Sequence, residues 1–232
     1  MQIHGLQKLT LLDFPGHIAC TVFTGGCNFR CPFCHNGGLV LEPEKAPLIP
    51  EEGFFAFLES RKGRLEGVAV TGGEPTVNGD LPEFLKRIKD MGFAVKLDSN
   101  GQNPDMLERI IKEDLADYVA MDIKNSRERY GETIGIPNFR TDRVERSVKL
   151  LMESGTSYEF RTTLTEELHD EASIAAIGQW IAGAEAYFLQ SYRDSEEILM
   201  PGKFHAPSKE TLERYLEILR PLVPSVALRG RD

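Results

Sequence analysis

Short apolar runs rich in Val, Ile, Phe and Ala alternate along this chain with longer stretches in which apolar residues recur every three or four positions. The first pattern fits buried strands and the second amphipathic helices. The runs fall at residues 18–23, 67–70, 94–97, 118–121, 157–162, 186–190 and 225–228, and the helical periodicity at 51–62, 81–91, 104–114, 142–154, 171–182 and 208–220. Punctuation agrees with this division. Asn103 before Pro104 has the chemistry of an N-cap followed by proline at the first helical position, and Gly63, Gly92, Gly155 and Gly183 stand where helices stop. Repeated strand–helix–strand units are right-handed and build a parallel sheet. About six such units fall short of the eight in a closed barrel of roughly 250 residues. The pattern therefore predicts an α/β protein shaped as a partial barrel of parallel strands.

The polar residues that follow each strand carry the chemistry. After the first run come Cys27, Cys31 and Cys34; after the second, Thr71-Gly72-Gly73-Glu74-Pro75; after the third, Asp98-Ser99-Asn100-Gly101; after the fourth, Asp122-Ile123-Lys124-Asn125. The fifth run carries Arg161 and Thr163, and the sixth ends at Gln190-Ser191-Tyr192-Arg193. In a parallel barrel these positions converge on the C-terminal rim, where βα loops build active sites.

Composition narrows the class. The 232 residues include 41% hydrophobic and 27% charged, ordinary for a globular protein, and no Pro/Gly/Ser-rich linker divides them. Residues 1–232 thus read as one domain, with a core over about 15–192 and a C-terminal helix and strand over 207–229. The net charge of −9, from 36 acidic and 27 basic residues, disfavours nucleic acid and anionic membrane as main partners. There is no long apolar run or signal-like N-terminus, which points to the cytoplasm, where thiols stay reduced.

Three of the four cysteines lie in Cys27-Asn-Phe-Arg-Cys31-Pro-Phe-Cys34. Clustered thiolates select zinc or iron–sulfur chemistry. A structural zinc site wants four protein ligands, usually as two spaced pairs, and no second pair is present. His35 is the nearest fourth candidate, but adjacency to Cys34 strains joint tetrahedral ligation. Three thiolates on a 4Fe-4S cluster would leave one iron open for catalysis. Cys20, inside the first apolar run, reads as a small buried hydrophobe.

The Cys-x3-Cys-x2-Cys spacing, with aromatic Phe33 before its last cysteine, resembles the radical S-adenosylmethionine (SAM) superfamily. That resemblance implies a (βα)6 partial TIM-like barrel, one 4Fe-4S cluster held by Cys27, Cys31 and Cys34, and SAM chelated to the open iron. Reductive cleavage of SAM to a 5′-deoxyadenosyl radical is then the implied chemistry. Gly72-Gly73-Glu74-Pro75 is ordinary turn material taken alone; within the resemblance its backbone receives the amino group of SAM. Lys96-Leu-Asp98-Ser99 and Met121-Asp122-Ile-Lys124 likewise read as strand ends that run into turns. They also resemble paired segments of the glycyl-radical-enzyme activases, where such aspartates hold a monovalent cation beside SAM and such a lysine contacts it. Hard carboxylate oxygens suit an alkali ion. Arg161, otherwise a surface strand arginine, matches an arginine that meets SAM or substrate. The implied SAM-binding set is Phe33, Gly72, Gly73, Glu74, Asp98, Ser99, Asp122, Lys124 and Arg161.

Leu11-Leu-Asp-Phe-Pro-Gly16 and His35-Asn36 extend the resemblance to these activases, above all those of anaerobic ribonucleoside-triphosphate reductase. The implied partners are a glycyl radical enzyme as protein substrate and a one-electron donor such as flavodoxin or ferredoxin. The chain departs from pyruvate formate-lyase activases in having no histidine in Phe188-Leu-Gln-Ser-Tyr192 and in reading His35-Asn36-Gly37-Gly38 after the cysteines. Two alternatives stay open: a radical SAM enzyme for a small molecule, such as a nucleobase or pterin precursor, and a non-enzymatic zinc-binding interaction protein.

Overall fold

A computed structural model describes residues 1–195 and 198–230. One eight-stranded sheet runs in chain order: β1 (Ile3–Thr10), β2 (Ala19–Thr24), β3 (Gly67–Gly72), β4 (Ala94–Ser99), β5 (Tyr118–Asp122), β6 (Ser157–Leu164), β7 (Tyr187–Ser191) and β8 (Val226–Arg229). From β2 onward every neighbouring pair is parallel, while β1 lies antiparallel against β2. Among the described residues no pairing joins β1 to β8, so the parallel α/β barrel remains open, as the alternation predicts.

The connecting helices are α1 (Gly37–Leu41), α2 (Glu51–Glu59), α3 (Leu81–Asp90), α4 (Pro104–Lys112), α5 (Tyr130–Thr133), α6 (Asp142–Ser154), α7 (Glu171–Trp180) and α8 (Lys209–Leu219). Local sequence explains their ends. Asn103 accepts a hydrogen bond from the Met106 N–H at the start of α4, and Asp170 and Ser173 close a reciprocal capping box on α7. α6 stops at Gly155, whose φ of 73° is left-handed. On α3, Leu81, Phe84, Leu85 and Ile88 form the buried stripe that a period of 3.6 demands. None of these helices is long and apolar enough to cross a membrane.

β1, α1 and α5 lie outside the predicted elements. β1 pairs on one side only and is half-exposed over most of its length, so it lacks the apolar run that marks buried strands. α1 and α5 span five and four residues, too few to show a period.

Strand alternation sorts side chains into two populations. Val68, Val70, Val95, Leu97, Val119, Met121, Phe160 and Leu189 are fully buried in the apolar core. Their neighbours along the strands, Thr71, Lys96, Asp98, Asp122, Arg161, Thr163, Gln190 and Arg229, line internal cavities instead. The lumen of this barrel is thus polar and charged, and the helices supply the hydrophobic layer around it.

Candidate functional site

The loop after β2 carries the cysteines and is fixed mostly by backbone hydrogen bonds. The Arg30 N–H donates to Ile134 O at 2.9 Å and Gly26 N–H to Leu39 O at 2.8 Å; Met200 N–H reaches Pro32 O at 3.0 Å from the C-terminal side. The Arg30 guanidinium folds back onto the carbonyls of Cys27 and Phe29. Phe33 is buried, edge-on to Phe204. Cys27, Cys31 and Cys34 are free thiols that line one cavity. Burial pushes the Cys31 thiol up to about 12 and Cys27 up to about 11, and raises Cys34 as well. A bound metal centre would favour the thiolate forms that burial disfavours.

The neighbouring wall is built from β3, β4 and neutral hydrogen bonds. Gly73 N–H donates to Thr24 O and Glu74 N–H to Gly26 O, each at 2.8 Å. A Cβ at Gly73 would lie 1.9 Å from Gly26 O, so only glycine lets these two loops approach. Asn36 Nδ2 donates to Gly72 O at 2.5 Å. The Glu74 side chain, 1% exposed, accepts four hydrogen bonds: from Thr76 N–H and Oγ1, from Ser99 Oγ at 2.9 Å and from Asn100 N–H at 2.6 Å. Burial raises its carboxyl above the ordinary range, and these donors offset that only in part. Asn100 in turn donates to Asn28 Oδ1 at 2.7 Å and lies 3.9 Å from Cys27 Sγ.

Opposite stands a row of charges. Lys96 pairs with Asp98, Asp98 with Arg161 at 3.2 Å, Arg161 with Asp122 at 2.9 Å, and Asp122 with Lys124 at 2.8 Å. Burial opposes ionisation of Asp122, yet Arg161 and Lys124 hold its carboxyl down to about 2. Asp98 is lowered by Arg161 and Lys96 against the same penalty. His169 fixes the Lys124 backbone: its Nδ1 accepts from Thr165 N–H, so Nε2 carries the proton and donates to Lys124 O at 2.9 Å.

All twelve residues singled out from sequence, the three cysteines with Phe33, Gly72, Gly73, Glu74, Asp98, Ser99, Asp122, Lys124 and Arg161, line this single cavity. It encloses about 180 Å³ and opens to solvent. Sequence reading did not single out Lys96, Asn28, Asn36 or Asn100 as functional. Lys96 carried a usable signal, since it shares a strand face with Asp98.

The donor set fits an iron–sulfur cluster better than a single ion. Among the described residues no three Cys, His, Asp or Glu side chains come close enough to share one metal ion. A cubane does not ask for that, because its thiolates go to separate irons. The Phe29 backbone N–H and the Asn100 side-chain Nδ2 near Cys27 Sγ are the outer hydrogen bonds that such ligands use.

Comparison with known proteins agrees. Residues 21–173 match the family model described as the Radical SAM superfamily. A Methanocaldococcus jannaschii protein assigned to glycyl-radical enzyme activation is 28% identical over 98% of this chain and 95% of its own length. The 7-carboxy-7-deazaguanine synthase of Methanopyrus kandleri is 30% identical over 80% of this chain and 78% of its own. A radical SAM methyltransferase from Sphaerobacter thermophilus superposes with a TM-score of 0.72, over 93% of this chain and 67% of that one, at 17% identity.

Proposed function

This chain belongs to the radical SAM superfamily, and on that premise we propose that it activates a glycyl radical enzyme, with anaerobic ribonucleoside-triphosphate reductase as the partner. The observation that carries the reading is the shared cavity, with three thiols on one wall and strand-end polar and charged groups on the others. Similarity to the Methanocaldococcus protein over nearly the full length of both chains supports the substrate class. The partner within that class rests on Leu11 to Gly16 and His35-Asn36.

When bound, the cluster and SAM would supply one-electron chemistry, reductive SAM cleavage by an electron from a donor such as flavodoxin or ferredoxin coupled to removal of a Cα hydrogen from glycine. Cys27, Cys31 and Cys34 would hold the cluster, and Phe33 packs edge-on against Phe204 at the wall of the same cavity. Gly72 and Gly73 present backbone to the amino group of SAM, with Glu74 and Ser99 tying that edge to β4. Lys124 and Arg161 answer the carboxylate of SAM, and Asp98 and Asp122 hold those two cations in place. The net charge of −9 supports a protein or small-molecule partner over nucleic acid or membrane. Residues 1–232 work as one domain in the cytoplasm, where reduced thiols are available for cluster assembly.

The test is anaerobic. Reduced, reconstituted protein mixed with SAM and the reductase large subunit from the same source should give a glycyl doublet in electron paramagnetic resonance. A second reading, a small-molecule radical SAM enzyme, is favoured by the 30% identity to the deazaguanine synthase. Rapid SAM cleavage coupled to a deazaguanine or pterin precursor, with no protein radical in any glycyl enzyme of that source, would select it.

A further inference from the structure

Two carboxylates offer four oxygens at the floor of the cavity, and every one already has a cationic partner. Lys96 Nζ takes Asp98 Oδ1, Arg161 Nη1 takes Asp98 Oδ2, Arg161 Nε takes Asp122 Oδ1 and Lys124 Nζ takes Asp122 Oδ2. Strand register enforces this arrangement. Asp122 and Arg161 are direct partners across β5 and β6, and Asp98 stands beside Ala120 across β4 and β5, so the guanidinium projects between the two acids. Arg161 is 12% exposed and Lys96 2%, which leaves little room to swing aside.

An alkali ion between Asp98 and Asp122, as the resemblance implies, needs both open lone pairs and surplus negative charge. Each oxygen keeps a second lone pair, but the row has no surplus negative charge: three cations face two anions. A second cavity reaches Asp98 and Arg161 from the far side, past Lys96, Arg229 and Asp13, and Arg229 is already paired with Glu159, so that approach is of mixed charge and the row itself decides the balance. The surplus of one positive charge suits a single anionic group, such as one ligand carboxylate.

We propose that Arg161 is the built-in cation of this site, holding Asp98 and Asp122 together in the position where an alkali ion would sit, so that the protein folds and binds SAM without a monovalent metal. A planar, permanently charged fork bridges two carboxylates in a fixed geometry, whereas an exchangeable ion would tie the site to salt composition.

The experiment compares the full-length protein, with and without its cluster, in potassium, sodium or choline chloride at equal ionic strength. Thermal midpoints should agree within about 1 °C, and thallium(I), used as a potassium surrogate, should show no saturable bound signal by thallium-205 NMR. SAM affinity of the reconstituted protein should be the same in all three salts. Arg161→Ala should gain a salt dependence, with SAM binding weakened about tenfold in choline and partly restored by potassium or methylguanidinium. Arg161→Gln, which removes the charge but keeps a hydrogen-bonding amide, serves if the alanine variant does not fold and should show the same dependence. Saturable stabilisation of the wild type by potassium or sodium, a bound thallium signal, or salt-independent SAM binding in the variants would overturn the inference. The ion-binding arm does not rest on the SAM reading. A protein that ignores both alkali ions and SAM would sink that reading and leave standing only the part of this one that concerns folding and ion binding.

Discussion

Glu74 is a buried carboxylate and Asp122 a half-buried one on facing walls of one cavity, and the chain handles them in opposite ways. Glu74 sits among four neutral donors on the β3–β4 side, with its carboxyl above the usual range because burial outweighs them. Asp122, with Asp98 beside it, is held below that range by Arg161 and two lysines. A neutral cage fails when its count of donors and acceptors is broken. A charge row fails when its balance of signs is broken. The first suits loops that must stay in register around a metal centre, and the second a floor that must present charge to a ligand.

The comparison breaks most completely at the cysteines, whose loop adjoins the neutral wall through Asn100. Alanine at Cys27, Cys31 or Cys34 should reduce cluster content and SAM cleavage to background if, as proposed, each thiolate takes one iron. Cys20→Ala should keep both, because Cys20 packs in the core. Iron and sulfide analysis after anaerobic reconstitution checks this, and full iron in Cys31→Ala would undo the ligand assignment.

On the ionic wall, Arg161→Ala should cost about 3–5 kcal/mol, the usual price of stranding a buried charge partner. That corresponds to a fall of roughly 6–20 °C in the thermal midpoint. A loss below about 1 kcal/mol in denaturant titration would show that the row is not balanced by Arg161.

Glu74→Gln should cost about 3 kcal/mol, because its amide points a donor at donors. Unlike the arginine variant, it should be insensitive to salt. Equal salt dependence of the two would erase the distinction between the walls.

The smallest expected effect is on acid stability. Asp122 has a folded value of about 2 against an ordinary 3.8, so on acidification the unfolded chain takes the proton first. Its contribution is present above about pH 3.8 and is lost as pH falls toward 2, roughly 2 kcal/mol in all. Glu74 has the opposite sign: a raised folded value removes stability as pH rises above 4.5. Denaturation series of Asp122→Asn and Glu74→Gln should flatten these two limbs separately, and identical pH profiles for the two variants would count against both assignments.

Much of this site was legible in the sequence because local spacing encodes it. The cysteine triplet needs no tertiary information, and the strand-end acids and bases follow from where β-rich runs stop. Lys96 was legible in principle, being two residues before Asp98 on the same face. The bonds from Asn100 to Asn28 and from Asn36 to Gly72 were not, because they span 72 and 36 residues and depend on how loops of different strands meet. For the same reason nothing in Glu74 itself announces that Ser99 and Asn100 close its cage. β1 escaped because an edge strand with one paired side carries no continuous apolar signal.

The charged lumen also bears on the order in which the chain assembles. Asp98 and Asp122 emerge on β4 and β5, but the guanidinium that joins them arrives on β6, at residue 161, and the pair from Arg161 to Asp98 closes a span of 63 residues. A nascent chain that ends before β6 has only lysines to offer those acids and must leave its interior wet. Drying of the barrel is therefore a late, long-range event, and fragments truncated ahead of β6 should stay expanded and draw on chaperones until the sixth strand docks.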